Sequence, residues 1–160
     1  MECISCNERI EGLRRYLGAR SKNETIEIPW ADFETVINII DAKCDIQSFD
    51  YILAITRGGW IPSVILAHKH GKEVLPFQIR LTENDGINAV KTKPVFGQNI
   101  DFSILKNKKL LVIDDVFGSG ATLSYVKKEI LKFDPATVLT ATCYINTNNY
   151  GSLSELVGSF

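Results

Sequence analysis

The residues best equipped for chemistry lie together in Leu110-Leu111-Val112-Ile113-Asp114-Asp115-Val116-Phe117-Gly118-Ser119-Gly120-Ala121-Thr122-Leu123. The apolar run Leu110 to Ile113 reads as the heart of a buried strand over Lys109 to Asp114, and two adjacent carboxylates leave its C-terminal end, where open parallel sheets bind ligands. Neighbouring carboxylates repel each other unless hydrogen-bond donors or a cation lie between them. Sugar hydroxyls and a hydrated magnesium ion meet that need, so the pair points to a polyol site. Gly118 to Thr122 then leads into a helix, and its small residues let backbone N–H groups and the helix N-terminus face one point. Ser119 and Thr122 add hydroxyl donors, a cradle suited to a phosphate monoester. A P-loop needs Gly-x-x-x-x-Gly-Lys-Ser/Thr; no lysine follows Gly120, so nucleoside triphosphate hydrolysis is not supported. The alternative is a tight strand-to-helix turn in which Asp114 or Asp115 merely caps the helix.

Such a loop needs a sheet behind it, and the period of the apolar residues switches repeatedly between strand-like and helix-like along the chain. That alternation predicts an α/β domain with a mainly parallel central sheet flanked by helices. Tyr51 to Ile55 is a second apolar run of strand length, ended by Arg57-Gly58-Gly59. Ile61 to His70 follows as a helix, with Pro62 in its first turn and Gly71 placed to stop it. Glu73 to Leu81 reads as the next strand, Ala121 to Phe133 as an amphipathic helix and Thr137 to Ile145 as a long strand. Upstream, Pro29-Trp30-Ala31-Asp32 opens a helix whose Phe33, Val36, Ile37 and Ile40 share one face. Thr25 to Ile28 reads as a short edge strand. Thr82 to Ile100 shows no clear period and reads as a lid. Residues 1–24 are expected to be a peripheral segment and residues 25–160 the domain proper.

The segment Leu110 to Leu123 closely resembles the phosphoribosyl pyrophosphate (PRPP) signature of type I phosphoribosyltransferases. Ala54-Ile55-Thr56-Arg57-Gly58-Gly59-Trp60-Ile61-Pro62 resembles the pyrophosphate loop of the bacterial xanthine- and hypoxanthine-guanine members, and Ile28-Pro29-Trp30-Ala31-Asp32-Phe33 resembles the lead-in to their first helix. The resemblance implies an α/β core with a flexible loop and a small hood. It also implies a magnesium-dependent reaction in which a base nitrogen, in a purine-like base, attacks C1 of PRPP and displaces pyrophosphate. Carried over by position, Asp114 and Asp115 hold the ribose hydroxyls and, through water, magnesium. Phe117, Gly118, Ser119, Gly120, Ala121 and Thr122 form the 5-phosphate side of the PRPP site. Arg57, Gly58 and Gly59 present backbone N–H groups to pyrophosphate, in this family often through a non-proline cis peptide. Arg80 resembles an arginine that other branches place against pyrophosphate, and Lys91 and Lys93 on the lid stand ready to screen its charge, the alternative for each being a solvated side chain. Gly118 stands where the 6-oxopurine enzymes carry an acid, and Asn146 stands where they place a lysine against the base. Phe117, Tyr150 and Phe160 are candidate aromatic neighbours of the base. A second reading is a non-catalytic PRPP- or nucleotide-binding regulator of the same fold.

Composition bounds the rest. The chain has 160 residues, 45% of them apolar and 23% charged, enough for one domain with its own core. Its 18 basic and 19 acidic residues leave a net charge of −1, without the basic stripe that duplex binding needs, so nucleic acid is not an expected partner. No apolar run approaches the roughly 20 residues that span a bilayer, and Met1 to Ile10 lacks a signal-peptide layout, so no membrane partner and a cytoplasmic location are expected. Cys3 and Cys6 form a Cys-x-x-Cys, either half of a zinc site or a pair of reduced thiols; Cys44 and Cys143 lie far away. Members of the family are commonly oligomeric, and a homodimer is expected.

Overall fold

The computed structural model describes residues 27–82, 91–96 and 101–145, the stretches 80–82 and 91–96 by their backbone. The described elements, in chain order, are α1 (Trp30–Lys43), β1 (Tyr51–Thr56), α2 (Trp60–His70), β2 (Glu73–Thr82), β3 (Lys91–Phe96), β4 (Lys109–Phe117), α3 (Ala121–Leu131) and β5 (Thr137–Ile145), with short 3-10 turns at Ile46–Ser48 and Phe102–Leu105. They form one five-stranded sheet in the order β3-β2-β1-β4-β5. β2, β1, β4 and β5 are parallel, and β3 lies antiparallel on β2.

Alternation along the central strands divides the core between two faces. Leu53, Ile55, Leu110 and Val112 point to the side covered by α3, where Leu123, Val126 and Ile130 meet them together with Phe102 and Leu105. Ile52, Leu111 and Ile113 point to the other side, against Ile37 and Ile40 of α1 and Leu66 and Ala67 of α2. Both faces are therefore covered, which is why Tyr51–Ile55 and Leu110–Ile113 read as continuous apolar runs. At the far end of this layer, Asp41 of α1 bonds to Lys69 (2.5 Å) and to His70, fixing the C-termini of α1 and α2 to one another. Gly71 closes α2 with φ 62°, and nothing lies within 4 Å of the Cβ an alanine would add there.

Four expectations need correction. Glu27 and Ile28 run into α1 without strand structure, while Thr25 and Ile26 lie outside the described residues. The stretch expected to be a lid contains β3, whose backbone pairs Ile79 with Phe96 and Arg80 with Val95. Lys91, Lys93 and Pro94 hide its period, and lysine and proline on an outermost strand block further pairing. β4 continues to Phe117, so the two acids lie within a strand rather than beyond it. α3 ends at Leu131, because the chain turns through Asp134 (φ 49°) ahead of Pro135.

Candidate active site

From β1 the chain crosses through α2 to β2 on one side, and from β4 it crosses through α3 to β5 on the other. The crossovers cover opposite faces, so the loops after β1 and β4 diverge and leave a crevice at the carboxyl ends of these two neighbours. The β1–β4 ladder runs only from Tyr51↔Leu110 to Ala54↔Ile113, whereas β4 stays paired with β5 as far as Phe117↔Ile145. Asp114 and Asp115 thus sit on a strand held from one side only, at the floor of the crevice.

Consecutive strand residues face opposite ways, and the two acids divide accordingly. Asp114 lines a cavity of about 240 Å³ whose other walls are the continuous segment from Val116 to Leu123. Asp115 faces the loop after β1, where a Cβ on Gly58 would fall on its carboxyl group. Asp114 Oδ1 accepts from the Asp115 N–H (3.0 Å), and Asp115 Oδ1 accepts from the Val116 N–H (2.8 Å). Asp114 is 8% exposed. Burial, and then the neighbouring Asp115 charge, push its carboxyl up to about 7. The same burial and the same two acids drive the Cys143 thiol on β5 up to about 12, leaving it an inert packing group.

The loop after β1 is tightly specified. The Thr56–Arg57 peptide is cis. The Gly59 N–H donates to the Ile55 carbonyl (2.8 Å), and the Gly59 carbonyl accepts from the buried Ser63 hydroxyl (2.6 Å). A Cβ on Gly59 would strike the Ile113 carbonyl and lie 2.8 Å from that of Ile55, so the loop passes directly over the end of β4. The loop after β4 turns at Gly120, whose φ of 76° suits glycine, and enters α3 at Ala121. Phe117 is 3% exposed and its ring lies beneath Gly120, where a Cβ would come within 2.8 Å of it. It supports the loop from the core side and is also part of the cavity wall. The first N–H groups of α3 have no partner within the helix and its dipole favours an anion at this end, beside Ser119 and Thr122 in the cavity wall.

Val116 is a site residue that sequence reasoning passed over. It is 45% exposed between the acids and the loop, an apolar patch on the cavity rim of a strand that is otherwise largely buried. Its signal was present, because alternation puts it on the same side as Asp114 once the strand is known to run on to Phe117. Arg80 lies near the C-terminal end of β2 and Lys91 and Lys93 lie on β3, placed by backbone alone. Asn146, Tyr150, Phe160, Cys3 and Cys6 fall outside the described residues. Among the described residues no three His, Cys, Asp or Glu side chains gather to cage a metal. Two carboxylates, one desolvated beside the other, fit magnesium, which keeps several waters and takes one or two carboxylates plus substrate phosphates.

A mainly parallel sheet flanked by helices, with two acids and a glycine-turned loop at its switch point, matches the type I phosphoribosyltransferase fold. The chain belongs to the phosphoribosyl transferase domain family, whose model matches residues 32–154, and it is a phosphoribosyltransferase. It is similar to an adenine phosphoribosyltransferase of Helicobacter hepaticus, 30% identical over 122 residues that cover 71% of this chain and 67% of the relative. A purine phosphoribosyltransferase from Pyrococcus horikoshii superposes with a TM-score of 0.61 at 26% identity, over 74% of this chain and 75% of that one. A hypoxanthine-guanine phosphoribosyltransferase of Bacillus anthracis shares the fold (TM-score 0.54, 14% identity, 81% and 77% covered). Among the described residues no helix is long and apolar enough to cross a membrane.

Proposed function

We propose that this enzyme joins a purine base to the ribose of PRPP with release of pyrophosphate, and that its acceptor is adenine. The observation that carries the reading is the contact of the loop after β1 with Asp115 of β4: Gly58 packs on its carboxyl group while Asp114 opens into the cavity before α3. One ligand carrying a 5-phosphate, two ribose hydroxyls and a pyrophosphate spans these features in that order. The 5-phosphate lies at the N-terminus of α3 with Ser119 and Thr122. The hydroxyls lie on Asp114 and Asp115. Pyrophosphate lies along the backbone of Arg57, Gly58 and Gly59, with Arg80 as a further ligand.

In the reaction a base nitrogen forms the new bond to C1 as the C1–oxygen bond breaks. The electron pair leaves with pyrophosphate, and the nitrogen's proton passes to solvent. Donors fixed before the reaction stabilise the charge that gathers on the leaving group. Asp114 and Asp115 would hold magnesium, which would supply positive charge to the departing pyrophosphate. Val116 gives the base an apolar shelf, and Asn146 can both donate and accept at its edge. Adenine is favoured because Gly118 supplies no carboxylate for a 6-oxopurine, and because the curated relative is named for adenine.

The test is thermal denaturation with PRPP, with and without magnesium, followed by pyrophosphate release on adenine, hypoxanthine, guanine and xanthine. A magnesium-dependent upward shift with release on adenine is expected. Absence of any shift overturns the PRPP site, and release only on 6-oxopurines overturns the choice of base.

A further inference from the structure

Among the described residues two polar side chains are buried, Asp114 at 8% exposure and Ser63 at 0%. The first belongs to the acid pair at the end of β4. The second lies on the buried side of α2 with Pro62, Leu66 and Ala67, where alanine would satisfy packing without a hydroxyl to desolvate. A hydroxyl in such a place costs free energy unless it is hydrogen-bonded. Ser63 Oγ donates to the Gly59 carbonyl at 2.6 Å, closer than the Ser63 N–H, which donates to the same oxygen at 3.2 Å.

We propose that Ser63 is a positioning residue for the backbone of Arg57, Gly58 and Gly59; the inference rests on the placement of pyrophosphate on that backbone proposed above. A peptide group is planar, so a bond that holds its carbonyl also sets the direction of the N–H on its other side. The Ser63 hydroxyl fixes the Gly59–Trp60 peptide in this way, and the Trp60 N–H closes the turn on the Arg57 carbonyl (3.2 Å). The Gly58–Gly59 peptide is fixed by the bond from the Gly59 N–H to the Ile55 carbonyl (2.8 Å). Two successive glycines would otherwise give the loop more freedom than any other pair of residues. The Ile113 and Ile55 carbonyls crowd Gly59 from the sheet side, which leaves lifting toward the crevice as the open direction. The bond to Ser63 ties Gly59 to the second turn of α2 and opposes that movement. The loop therefore holds one orientation before an anion arrives, and binding does not bear the cost of ordering it.

Calorimetry of the full chain with PRPP and with ribose 5-phosphate, each with magnesium, tests the proposal. Ribose 5-phosphate carries the 5-phosphate and ribose hydroxyls of PRPP and lacks its pyrophosphate. Ser63→Ala is expected to weaken PRPP binding about fivefold, the effect of one hydrogen bond, and to leave ribose 5-phosphate binding unchanged. Ser63→Cys fills the same space with a weak donor, so it is expected to lose PRPP affinity as well. In steady-state kinetics both variants should raise KM for PRPP and leave KM for the base unchanged. Parental PRPP affinity in Ser63→Ala, equal weakening of both ligands, or parental PRPP affinity in Ser63→Cys overturns the proposal, the last because packing rather than the hydroxyl would then hold the loop. A parent chain that binds neither ligand overturns the PRPP site itself, and this inference with it.

Discussion

Alanine placed at each of three glycines separates the fold from the site. At Gly58 the added methyl falls on the Asp115 carboxyl group, the end of a short side chain that can rotate away. The fold therefore loses little, while Asp115 leaves the position from which the proposed function has it meet ribose. Hydrogen bonds to a charged group contribute about 1.5–3 kcal/mol, so the affinity for PRPP is expected to fall at least about tenfold. At Gly59 the methyl meets the carbonyls of Ile113 and Ile55, which cannot turn without opening the β1–β4 junction. Overpacking of this kind costs about 1–3 kcal/mol or more, and each kcal/mol lowers Tm by about 2–4 °C at this chain length. At Gly71 there is space but φ is 62°, so the cost is conformational, about 1 kcal/mol, and the site is untouched. The assay is Tm with and without magnesium-PRPP. Ligand at about 100 times Kd adds about 2.7 kcal/mol, and a tenfold weaker site retains about half of that. Gly71→Ala should keep the full ligand shift from a lower starting Tm, and Gly58→Ala should keep the starting Tm and lose half the shift or more. A Gly58→Ala protein with the parent's full shift would refute the placement of Asp115 in the PRPP site.

Two further outcomes follow from the acids and the rim. Unfolded Asp114 releases its proton near 3.8 and the folded chain keeps it until about 7, so between those values the folded state binds more protons and its stability falls as pH rises. In denaturant titrations without magnesium, Asp114→Asn should flatten this slope and raise stability at pH 8 by an amount on the order of a few kcal/mol, while magnesium-PRPP binding is lost; an unchanged slope would show that Asp114 is not the group responsible. Val116→Ser removes about 1.5 kcal/mol of apolar contact and should raise KM for adenine about tenfold with the PRPP affinity unchanged, and steady-state kinetics showing the opposite split would remove Val116 from the base shelf.

Much of the site was legible because it is local. Leu110 to Ile113, the two acids and Gly118 to Thr122 stand in one continuous order, and short-range rules turn that order into strand, carboxylates and cradle without a partner. The same holds for α1 and for the stop at Gly71, where spacing and a left-handed residue act within a few positions. What lies beyond β4's apolar run was less legible. Pairing with β5 carries the strand on to Phe117, and that extension sends Asp114 and Asp115 to opposite sides, exposes Val116 and turns Phe117 under Gly120. β3 was hidden for a related reason, since it forms by pairing with β2 despite two lysines and a proline. Residue types and spacing thus determined where the two acids and the two loops stand in the chain. Only the tertiary structure decided that Gly58 and Asp115, far apart in sequence, touch, because that contact depends on β1 and β4 being neighbours whose crossovers leave on opposite faces.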